Sequence, residues 1–569
     1  MIQNAFTKAK YGGRLSFTRR LPLCTSLSSR SALRPVRNAV FNLHLPPTTR
    51  PLSQGRFQTT GLTSLDYEFD TIYALSTAPG RAAIAIIRIS GLGWWDIYQA
   101  LCPGQAPPKP RKATLRDLYD PSDSSNILDS ALVLHFPAPK TVTGEDILEL
   151  HIHGGHATVK AVLAAIAQSP SAHTIRYAEA GEFTRRAFQN DRLDLGQVEA
   201  LSDALSAETE QQRRAAIRGN SGKLGRIYEE WRQLLLAARG ELEALIDFSE
   251  DQHFDESPAE LMRNVTRQIG PIVEAIRRHR AGSRCGELLK RGIRISLLGP
   301  PNAGKSSLLN VIVDREASIV SEEAGTTRDV VEVSVDIGGY LCVFADTAGL
   351  RSSEMIGGVE QEGIRRAKAK ARDSDLIIVL ASVEQSDSSN SSVYQLASGP
   401  SGLSTFCDLQ SLKLAAEAEQ EIVVINKCDS TRDLGDLIVC TQSRLNDLFP
   451  GNSPPIVAIS CRDADSSGGG IRNLVDVLQT TFGTMTSVVA DDLDLLGVSE
   501  RQSQLLSSCT NHLESFKDEA LQGDECDIVI AAEHLRAAAT CLARITGRGE
   551  AGDVEEVLGV VFEKFCVGK

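Results

Sequence analysis

Three short segments of the chain place glycines, lysines, hydroxyl groups and carboxylates at spacings that suit phosphate chemistry. The first, Gly299–Ser306, reads Gly-Pro-Pro-Asn-Ala-Gly-Lys-Ser and lies between the apolar run Ile293–Leu298 and a predicted helix over Ser307–Val313. Glycines allow backbone N–H groups to surround phosphate, and the helix N-terminus behind them favours an anion. We expect Lys305 to reach the β- and γ-phosphates and Ser306 to coordinate Mg²⁺.

The other two segments supply carboxylates for the metal and for the base. Asp346–Gly349 follows the predicted strand Tyr340–Ala345, which places the Asp346 carboxylate beside the metal. Asn426–Asp429 follows the apolar run Glu421–Ile425. A carboxylate there accepts both the ring N–H and the exocyclic amine of guanine, which adenine does not offer together. One such segment can match by chance, whereas three in order predict a GTP-binding and GTP-hydrolysing protein.

The first 65 residues differ in composition from the rest of the 569-residue chain. They contain no Asp or Glu, ten Lys or Arg, and many Ser and Thr, which is typical of an organellar transit peptide. A disordered basic arm that binds RNA is the alternative interpretation. The remaining residues carry 50 basic and 73 acidic side chains, a net charge of −23. Any RNA contact therefore needs a local basic patch or a partner protein.

The spacing of the cysteines and the length of the apolar runs indicate the cellular compartment to expect. The twelve cysteines are scattered without paired short spacings, so the sequence predicts neither a zinc site nor a disulfide framework. No apolar run approaches the roughly 20 residues that span a bilayer. We therefore expect a soluble protein of a reducing compartment such as the mitochondrial matrix.

The patterning predicts a multidomain α+β and α/β fold. Strand-like runs at 83–90, 131–136 and 146–153, followed by a helical pattern over 157–168, predict an N-terminal α+β domain. The Ser/Asn-rich segment 384–402 predicts a flexible surface insertion. The expected divisions are a leader at 1–65, the α+β domain at 66–188, a helical part at 189–288, a Ras-like G domain at 289–486 and a second helical part at 487–569.

Apolar residues recur at helical spacing on both sides of the G domain, which predicts a G domain inserted into a single helical domain. Periodicity alone does not establish that the two parts pack together. The apolar positions are Ile227, Trp231, Leu234, Leu235, Ala238, Leu242, Leu245 and Ile246 before the G domain, and Ile528, Ala532, Leu535, Ala539 and Leu542 after it.

The sequence lacks the glutamine that orients water in Ras-like proteins, because Leu350 follows the Asp-Thr-Ala-Gly segment. Asn302 offers one substitute, by holding a monovalent cation where an arginine finger would otherwise act. Glu360 offers another, by orienting water directly or through a second water. A solvated helix residue beside Glu362 and Arg365 is the alternative interpretation of Glu360.

Several further motifs extend over the whole chain after the leader. They are Ala78–Arg81, Thr143–Asp146, Gly181–Phe188, Ala324–Asp329, Asp346–Arg351 and Phe565–Lys569. With the phosphate loop, they resemble the tRNA modification GTPases of the MnmE family in their mitochondrial fungal form, from about residue 70 to the end. The terminal Cys-Val-Gly-Lys is close to the family's Cys-Ile-Gly-Lys, a tail that ordinary G domains lack.

For the G domain, the resemblance implies the metal ligands and a catalytic glutamate. It implies potassium opposite the Mg²⁺, with the ligands Asn302, Ser321, Glu323 (through its backbone carbonyl) and Thr326. Mg²⁺ would be held by Ser306 and Thr327. Glu360 falls at the position of the family's catalytic glutamate, and Lys305 and Asn302 are the other two residues predicted to be catalytic. The residues predicted to bind GTP are Gly299, Asn302, Ala303, Gly304, Lys305, Ser306, Ser307, Thr326, Thr327, Asp346, Thr347, Ala348, Gly349, Asn426, Lys427, Asp429, Ser460, Cys461 and Arg462.

For the N-terminal domain, the resemblance implies a folate that donates one carbon, either 5,10-methylenetetrahydrofolate or 5-formyltetrahydrofolate. The implied ligands are Arg88, Glu149, Arg192 and Lys569. A carboxylate accepts hydrogen bonds from a pterin amine, and cations hold the glutamyl tail. Arg192 replaces a lysine of bacterial relatives, and Cys566 lies near Lys569. The triplet His151, His153 and His156 is interpreted as structural, since no Cys or paired carboxylate accompanies it.

The implied function is a mitochondrial GTPase that modifies the wobble uridine of tRNA. It would act as a homodimer through its N-terminal domain, with a flavin- and NADH-dependent partner of the MnmG type. Together they would attach an aminomethyl-type group, carboxymethylaminomethyl or a related one, at carbon 5 of uracil. The alternatives are a ribosome-assembly GTPase of the Era or Der kind, which predicts a basic RNA-binding module after the G domain, and a nucleotide-dependent scaffold.

Overall fold

The computed structural model describes most of the chain from residue 70 onward. The described residues are 70–248, 258–316, 318–321, 333–344, 371–385, 394–398, 403–431, 434–449, 451, 453–463, 469–488, 490–523, 526–548, 565 and 568. They all belong to one compact unit, Ser64–Lys569. The predicted leader, 1–65, lies outside them. No helix in this described part is long and apolar enough to cross a membrane.

A six-stranded sheet forms the N-terminal α+β domain, in the order β3-β4-β5-β2-β1-β6. Helices α1 (Trp94–Leu101) and α2 (His156–Ala167) cover one face, where Ile87 and Leu150 pack with Ile97 and Val162. Side chains alternate along a strand, so Glu149 belongs to the other face. The strands are β1 Thr71–Leu75, β2 Ile84–Ser90, β3 Thr114–Asp120, β4 Asp123–Phe136, β5 Ile147–His153 and β6 Ile175–Tyr177.

Strand β4 begins at Asp123, eight residues before the predicted start at Ala131. Its first half is mostly exposed and polar, but it pairs with β3 down to the bridge between Asp120 and Asp123. Backbone pairing needs no apolar side chain, which is why hydrophobic patterning missed this half of the hairpin.

Over residues 182–248 and 258–291, five helices lead from this domain to the G domain. They are α3 Glu182–Gln189, α4 Leu195–Ser206, α5 Glu210–Gly219, α6 Lys223–Phe248 and α7 Pro258–Arg291. Helix α4 begins with a capping box, in which the Asp194 carboxylate accepts from Gln197 N–H and the Gln197 side chain accepts from Asp194 N–H. Helix α7 continues past the expected boundary at 288 and runs almost directly into the first strand of the G domain.

In the described part of the G domain, nine strands form one sheet. Strands β7, β11, β14 and β15 are parallel, so their carboxyl ends meet at one edge and bring the phosphate loop and the Asn426–Asp429 segment together. The strands are β7 Ile293–Leu298, β8 Ser318–Ser321, β9 Val333–Ile337, β10 Tyr340–Phe344, β11 Leu376–Gln385, β12 Tyr394–Ser398, β13 Leu403–Cys407, β14 Glu421–Asn426 and β15 Ile456–Ala458; the helices are α8 Lys305–Val311, α9 Leu409–Ala416, α10 Leu434–Leu448 and α11 Ile471–Met485.

Two predictions in the G domain are corrected. The segment 384–402 is not simply a flexible insertion, because β12 lies within it and pairs antiparallel with β13, which in turn pairs with β11. Residues 386–393 and 399–402 lie outside the described residues. The helix expected over Ser307–Val313 already begins at Lys305, and Ile312–Glu316 continues it as a wider π-helical turn.

Helices α12 (Glu500–Ala520) and α13 (Ile528–Thr546) pack with α6 and α7 around one hydrophobic core. This confirms that the G domain is inserted into a single helical domain. The predicted stripe on α6 holds at Leu235 and Leu242, which are fully buried. Leu234 is the exception, since it is 56% exposed on the outer side of the helix.

Leu234 and Leu242 provide a matched pair for testing this core. Leu242→Ala removes buried methyl groups and leaves a cavity, so we expect it to lower the free energy of unfolding by about 2–5 kcal/mol. Leu234→Ala on the same helix is expected to change it by less than about 0.5 kcal/mol. Thermal unfolding measures both, and equal losses would contradict the packing of α6 described above.

Candidate functional site

The phosphate loop lies between β7 and α8 and has an unusual backbone. Asn302 and Gly304 both adopt left-handed conformations, at φ +63° and +98°. A Cβ at Gly304 would lie 2.1 Å from Nδ2 of Asn426, so only glycine fits there. Asparagine is among the few residues with a side chain that tolerate this region. These two residues shape a backbone cradle that opens at the start of α8.

Lys305 is a half-buried cation with backbone partners. Its Nζ donates to the carbonyl oxygens of Gly299 and Pro300, both at 2.8 Å. Burial lowers the pKa of Lys305, and the carboxylate of Asp408 opposes this with a smaller effect. An anion bound in the loop would stabilise the charged amine. The residues present therefore fit a phosphate group.

Asn426, the last residue of β14, joins three parts of the site. Its Nδ2 donates to the carbonyl of Ala303 at 2.9 Å, and the N–H of Cys461 donates to its Oδ1 at 3.3 Å. Both Asn426 and Ala303 are buried. The side chain thus fixes the phosphate loop relative to the two segments expected to contact the base.

Asp429 is positioned by Ser460. The hydroxyl of Ser460 donates to Oδ1 of Asp429 at 2.9 Å and accepts from the N–H of Asp463 at 3.1 Å. One carboxylate oxygen is held, so the carboxylate has a defined orientation toward a base. Burial raises the pKa of the Cys461 thiol to about 11, which keeps it neutral and agrees with a role for its backbone N–H.

Lys427 bends the chain between Asn426 and Asp429. Its backbone is left-handed at φ +64°, and its Nζ donates to Oε1 of Glu384 at 2.7 Å. The hydrogen bond from Lys427 lowers the pKa of Glu384. Glu384, near the end of β11, was not identified from the sequence as part of this site. The ion pair ties β11 to the segment that carries Asp429.

A second candidate site lies on the open face of the N-terminal sheet. It is a cavity of about 450 Å³, lined by Arg111, Phe136, Lys140, Thr141, Val142, Ile147, Glu149, Arg192 and Leu193. Two of the four predicted folate ligands, Glu149 and Arg192, line it. A volume of several hundred Å³ suits a small organic ligand.

The third predicted ligand, Arg88, reaches this cavity through Glu149. Arg88 Nε and Nη2 each lie 3.0 Å from Oε1 of Glu149, and Nε2 of His151 lies 3.3 Å from Oε2. The carboxylate is therefore fixed from both sides by neighbours on β2 and β5. Arg192 Nε donates to the carbonyl of Thr141 at 3.1 Å, which holds the loop that borders the cavity.

The C-terminal tail returns to the N-terminal domain. Gly568 accepts at its carbonyl from Ser76 Oγ at 2.9 Å, and a Cβ on it would lie 2.1 Å from the carbonyl of Leu75. Phe565 is buried with Leu195 and Val198 of α4. The position of Lys569, the fourth predicted ligand, lies outside the described residues, as does that of Cys566.

Comparison with known proteins agrees with this arrangement. A family described as "GTP-binding protein TrmE N-terminus" matches residues 71–192, and one described as "MnmE helical domain" matches residues 195–566. The chain belongs to the MnmE/TrmE family of tRNA modification GTPases. The second match spans both helical parts and the G domain between them, in agreement with the shared core of α6, α7, α12 and α13.

Individual relatives of the MnmE type match over most of their length. "tRNA modification GTPase mss1, mitochondrial" of Schizosaccharomyces pombe is 39% identical over 508 residues, 88% of this chain and 96% of that protein. "tRNA modification GTPase MnmE" of Parvibaculum lavamentivorans is 40% identical over 88% of this chain and 100% of that protein. "5-taurinomethyluridine-[tRNA] synthase subunit GTPB3, mitochondrial" of Homo sapiens is 39% identical over 88% and 93%.

The described residues bring together only part of the predicted MnmE-type site. One sheet edge brings together Gly299–Ser306, Asn426–Asp429 and Ser460–Arg462. The cavity is lined by Glu149 and Arg192, and Arg88 contacts Glu149. The backbone of Ser321 ends β8. The other predicted positions lie outside the described residues: Glu323, Thr326, Thr327, Asp346, Thr347, Ala348, Gly349, Glu360 and Lys569. Their roles stay predictions.

The cavity also contains residues that sequence reasoning missed. Arg111, Phe136 and Lys140 line it although no motif pointed to them. The available signal was the dense Lys-Pro-Arg-Lys run at Lys109–Lys112 in an otherwise acidic chain. For the histidines, the described residues contain no group of three metal-ligating side chains, and His153 pairs with Asp129 at 2.7 Å.

Proposed function

We propose that this tRNA modification GTPase is activated by potassium and modifies the wobble uridine of mitochondrial tRNA, with a folate as one-carbon donor and a flavin-dependent MnmG-type protein as partner. The observation that carries the proposal is the Asn426 contact with Ala303, because it assembles a phosphate cradle and a base-reading carboxylate in one site. Membership in the family connects that site to tRNA modification.

In the G domain, we assign separate tasks to the residues around the nucleotide. Asp429 reads guanine, Lys305 binds the phosphates, and Ser306 with Thr327 holds Mg²⁺. Asn302, Ser321, Glu323 and Thr326 hold potassium, and Glu360 orients water. When bound, the two cations neutralise the negative charge that develops between the phosphates during hydrolysis. The left-handed backbone of Asn302 supports its assignment, because a constrained non-glycine residue is typical of functional loops.

At the N-terminal cavity, we assign Glu149 to the pterin and Arg192 and Lys569 to the glutamyl tail. Arg88 and His151 orient the Glu149 carboxylate. When bound, the folate supplies the carbon that becomes attached to carbon 5 of uracil. The cavity volume of about 450 Å³ and its mixture of apolar and charged residues support this fit. The docking of Gly568 beside β1 supports an arrangement in which the C-terminal Lys569 reaches the same domain.

The homodimer is proposed to form through the open face of the N-terminal sheet. Leu115, Leu132, His151 and Ile86 are successive cross-strand partners on this face. Leu115 is 63% exposed and Leu132 is 45% exposed, and Ile84 on the neighbouring row is 59% exposed. A group of exposed apolar side chains on an uncovered sheet face is typical of an interface.

Mitochondrial location and the flavin-dependent partner complete the proposal. The acid-free, basic leader supports import into mitochondria, and two of the relatives described above are named as mitochondrial proteins. The flavin is assigned to the partner, since no flavin-binding glycine fingerprint occurs in this sequence. The Era or Der alternative predicted a separate RNA-binding module after the G domain, whereas the helical-domain match continues to residue 566.

Complementation tests the proposed function. Schizosaccharomyces pombe cells without mss1 would receive this chain or its Arg192→Ala variant, and mitochondrial tRNA nucleosides would be measured by mass spectrometry. We expect the chain to restore the 5-substituted wobble uridine and the variant to restore less. Import of the chain into mitochondria is verified by fractionation. Imported protein that leaves the wobble uridine unmodified would contradict the proposal.

A further inference from the structure

Five cations, here called the basic rim, line the N-terminal cavity or flank one of its lining residues in the sequence. Arg111, Lys140 and Arg192 line the cavity, and Lys109 and Lys112 flank Arg111 in the same exposed turn. No carboxylate of the described residues forms an ion pair with any of them. The chain after its leader carries a net charge of −23, so a site with five unpaired cations is unusual for this surface.

The turn that carries Arg111 is built to hold this side chain in place. Arg111 has a left-handed backbone at φ +57°, which is unfavourable for a residue with a long side chain. Its N–H donates to the carbonyl of His135 at 2.8 Å, and the N–H of Lys112 donates to the carbonyl of Lys109 at 3.1 Å. These bonds fix the turn against the end of β4.

The guanidinium of Arg111 is also fixed. It lies 5.7 Å from the ring centroid of Phe136 and donates to the carbonyl of Lys140. Phe136 and Lys140 both line the cavity, so Arg111 connects its apolar wall to its basic rim. Arg88 and His151 already contact the carboxylate of Glu149, so it does not neutralise the rim.

We propose that this rim binds the poly-γ-glutamate tail of the folate, with Arg111 and Lys140 as its specificity-determining residues. The inference rests on the folate function proposed above. A folate with one glutamate offers two carboxylates, which is fewer than the five cations present. Each further γ-linked glutamate adds one carboxylate, which suits a group of exposed cations that line the cavity or flank its lining residue Arg111.

RNA phosphates are the competing ligand for such a rim. Three of these cations line a single cavity together with the apolar side chains of Phe136, Val142, Ile147 and Leu193. Phosphate contacts to a folded RNA instead spread over a broad face. The geometry therefore favours an anionic extension of the ligand inside the cavity.

Equilibrium dialysis of the full chain with 5-formyltetrahydrofolate carrying one or five glutamates tests the inference. We expect the pentaglutamate to bind about tenfold more tightly at low salt, with a smaller difference at high salt. In Arg111→Gln combined with Lys140→Gln, the preference is expected to fall below about twofold. Gln keeps a Cβ at position 111, so the backbone strain is unchanged.

Two further variants separate charge from structure. Lys109→Gln combined with Lys112→Gln removes two exposed charges that do not line the cavity. We expect it to reduce the preference for the pentaglutamate in part. Lys160→Gln on α2, which covers the opposite face of the sheet, serves as the control and should leave it unchanged.

Each other outcome overturns the inference. Equal binding of both forms by the unsubstituted chain contradicts tail recognition but leaves the folate function standing. A preference that survives Arg111→Gln with Lys140→Gln places the tail elsewhere. Weaker tRNA binding in that variant, with an unchanged glutamate preference, assigns the rim to RNA. Binding of neither folate form removes the proposed folate function and this inference together.

Discussion

Asp429→Asn is expected to weaken GTP binding by about 10³-fold and to create binding of xanthosine triphosphate. In its proposed role the carboxylate accepts two hydrogen bonds from guanine, and each charge-assisted bond is worth about 1.5–3 kcal/mol. An amide presents its own donor to the guanine amine, whereas xanthine has a carbonyl at that position and accepts from it. Ser460 holds one oxygen of Asp429, so the change acts on a side chain of fixed orientation.

Competition between labelled GTP and unlabelled nucleotides measures this effect. Asp447→Asn, an exposed residue at the end of α10, removes the same charge and should leave GTP binding unchanged. Unaltered discrimination between GTP and xanthosine triphosphate in Asp429→Asn would show that another residue reads the base.

Asn426→Ala is expected to weaken GTP binding by roughly 10- to 100-fold and to lower stability. It leaves the Ala303 carbonyl and the Cys461 N–H without their partner, and an unsatisfied buried group costs about 1–3 kcal/mol. It also releases the phosphate loop from the base-reading segments, so the loss should affect GTP, GDP and guanosine alike.

Nucleotide titration and thermal unfolding measure the two effects separately. Asn446→Ala on the exposed side of α10 provides the control and should match the unsubstituted chain in both. A variant of Asn426 that unfolds normally and still binds GTP normally would contradict the role assigned to this contact.

Local sequence predicted those parts of the site in which a residue type is required both by the backbone conformation and by the chemistry. Only glycine fits at position 304, because the backbone there is left-handed and Asn426 lies close by. The glycine that identifies the motif in the sequence is therefore the one that the geometry requires. Apolar runs of β-branched residues likewise predicted β7 and β14, because both strands are buried. Periodicity on α6 and α13 predicted the insertion of the G domain, and the core shared by α6, α7, α12 and α13 establishes it.

The contacts between distant residues could not be predicted in this way. Asn426 and Ala303 are 123 positions apart, and only the parallel pairing of β7, β11 and β14 brings them together. Glu384 joins Lys427 for the same reason. Arg111 lies in a turn with no known motif, and its place at the cavity depends on how the loop before β3 folds onto β4.

GTP turnover in potassium against sodium tests the central claim most directly, for the chain and for Asn302→Ala and Asn302→Gly. Glycine removes the side chain and also relieves the strain of the left-handed backbone. A loss of potassium activation that both variants share is therefore caused by the missing side-chain amide. We predict turnover at least about tenfold faster in potassium, with this difference absent in both variants. Equal turnover of the unsubstituted chain in the two salts would contradict cation-activated hydrolysis.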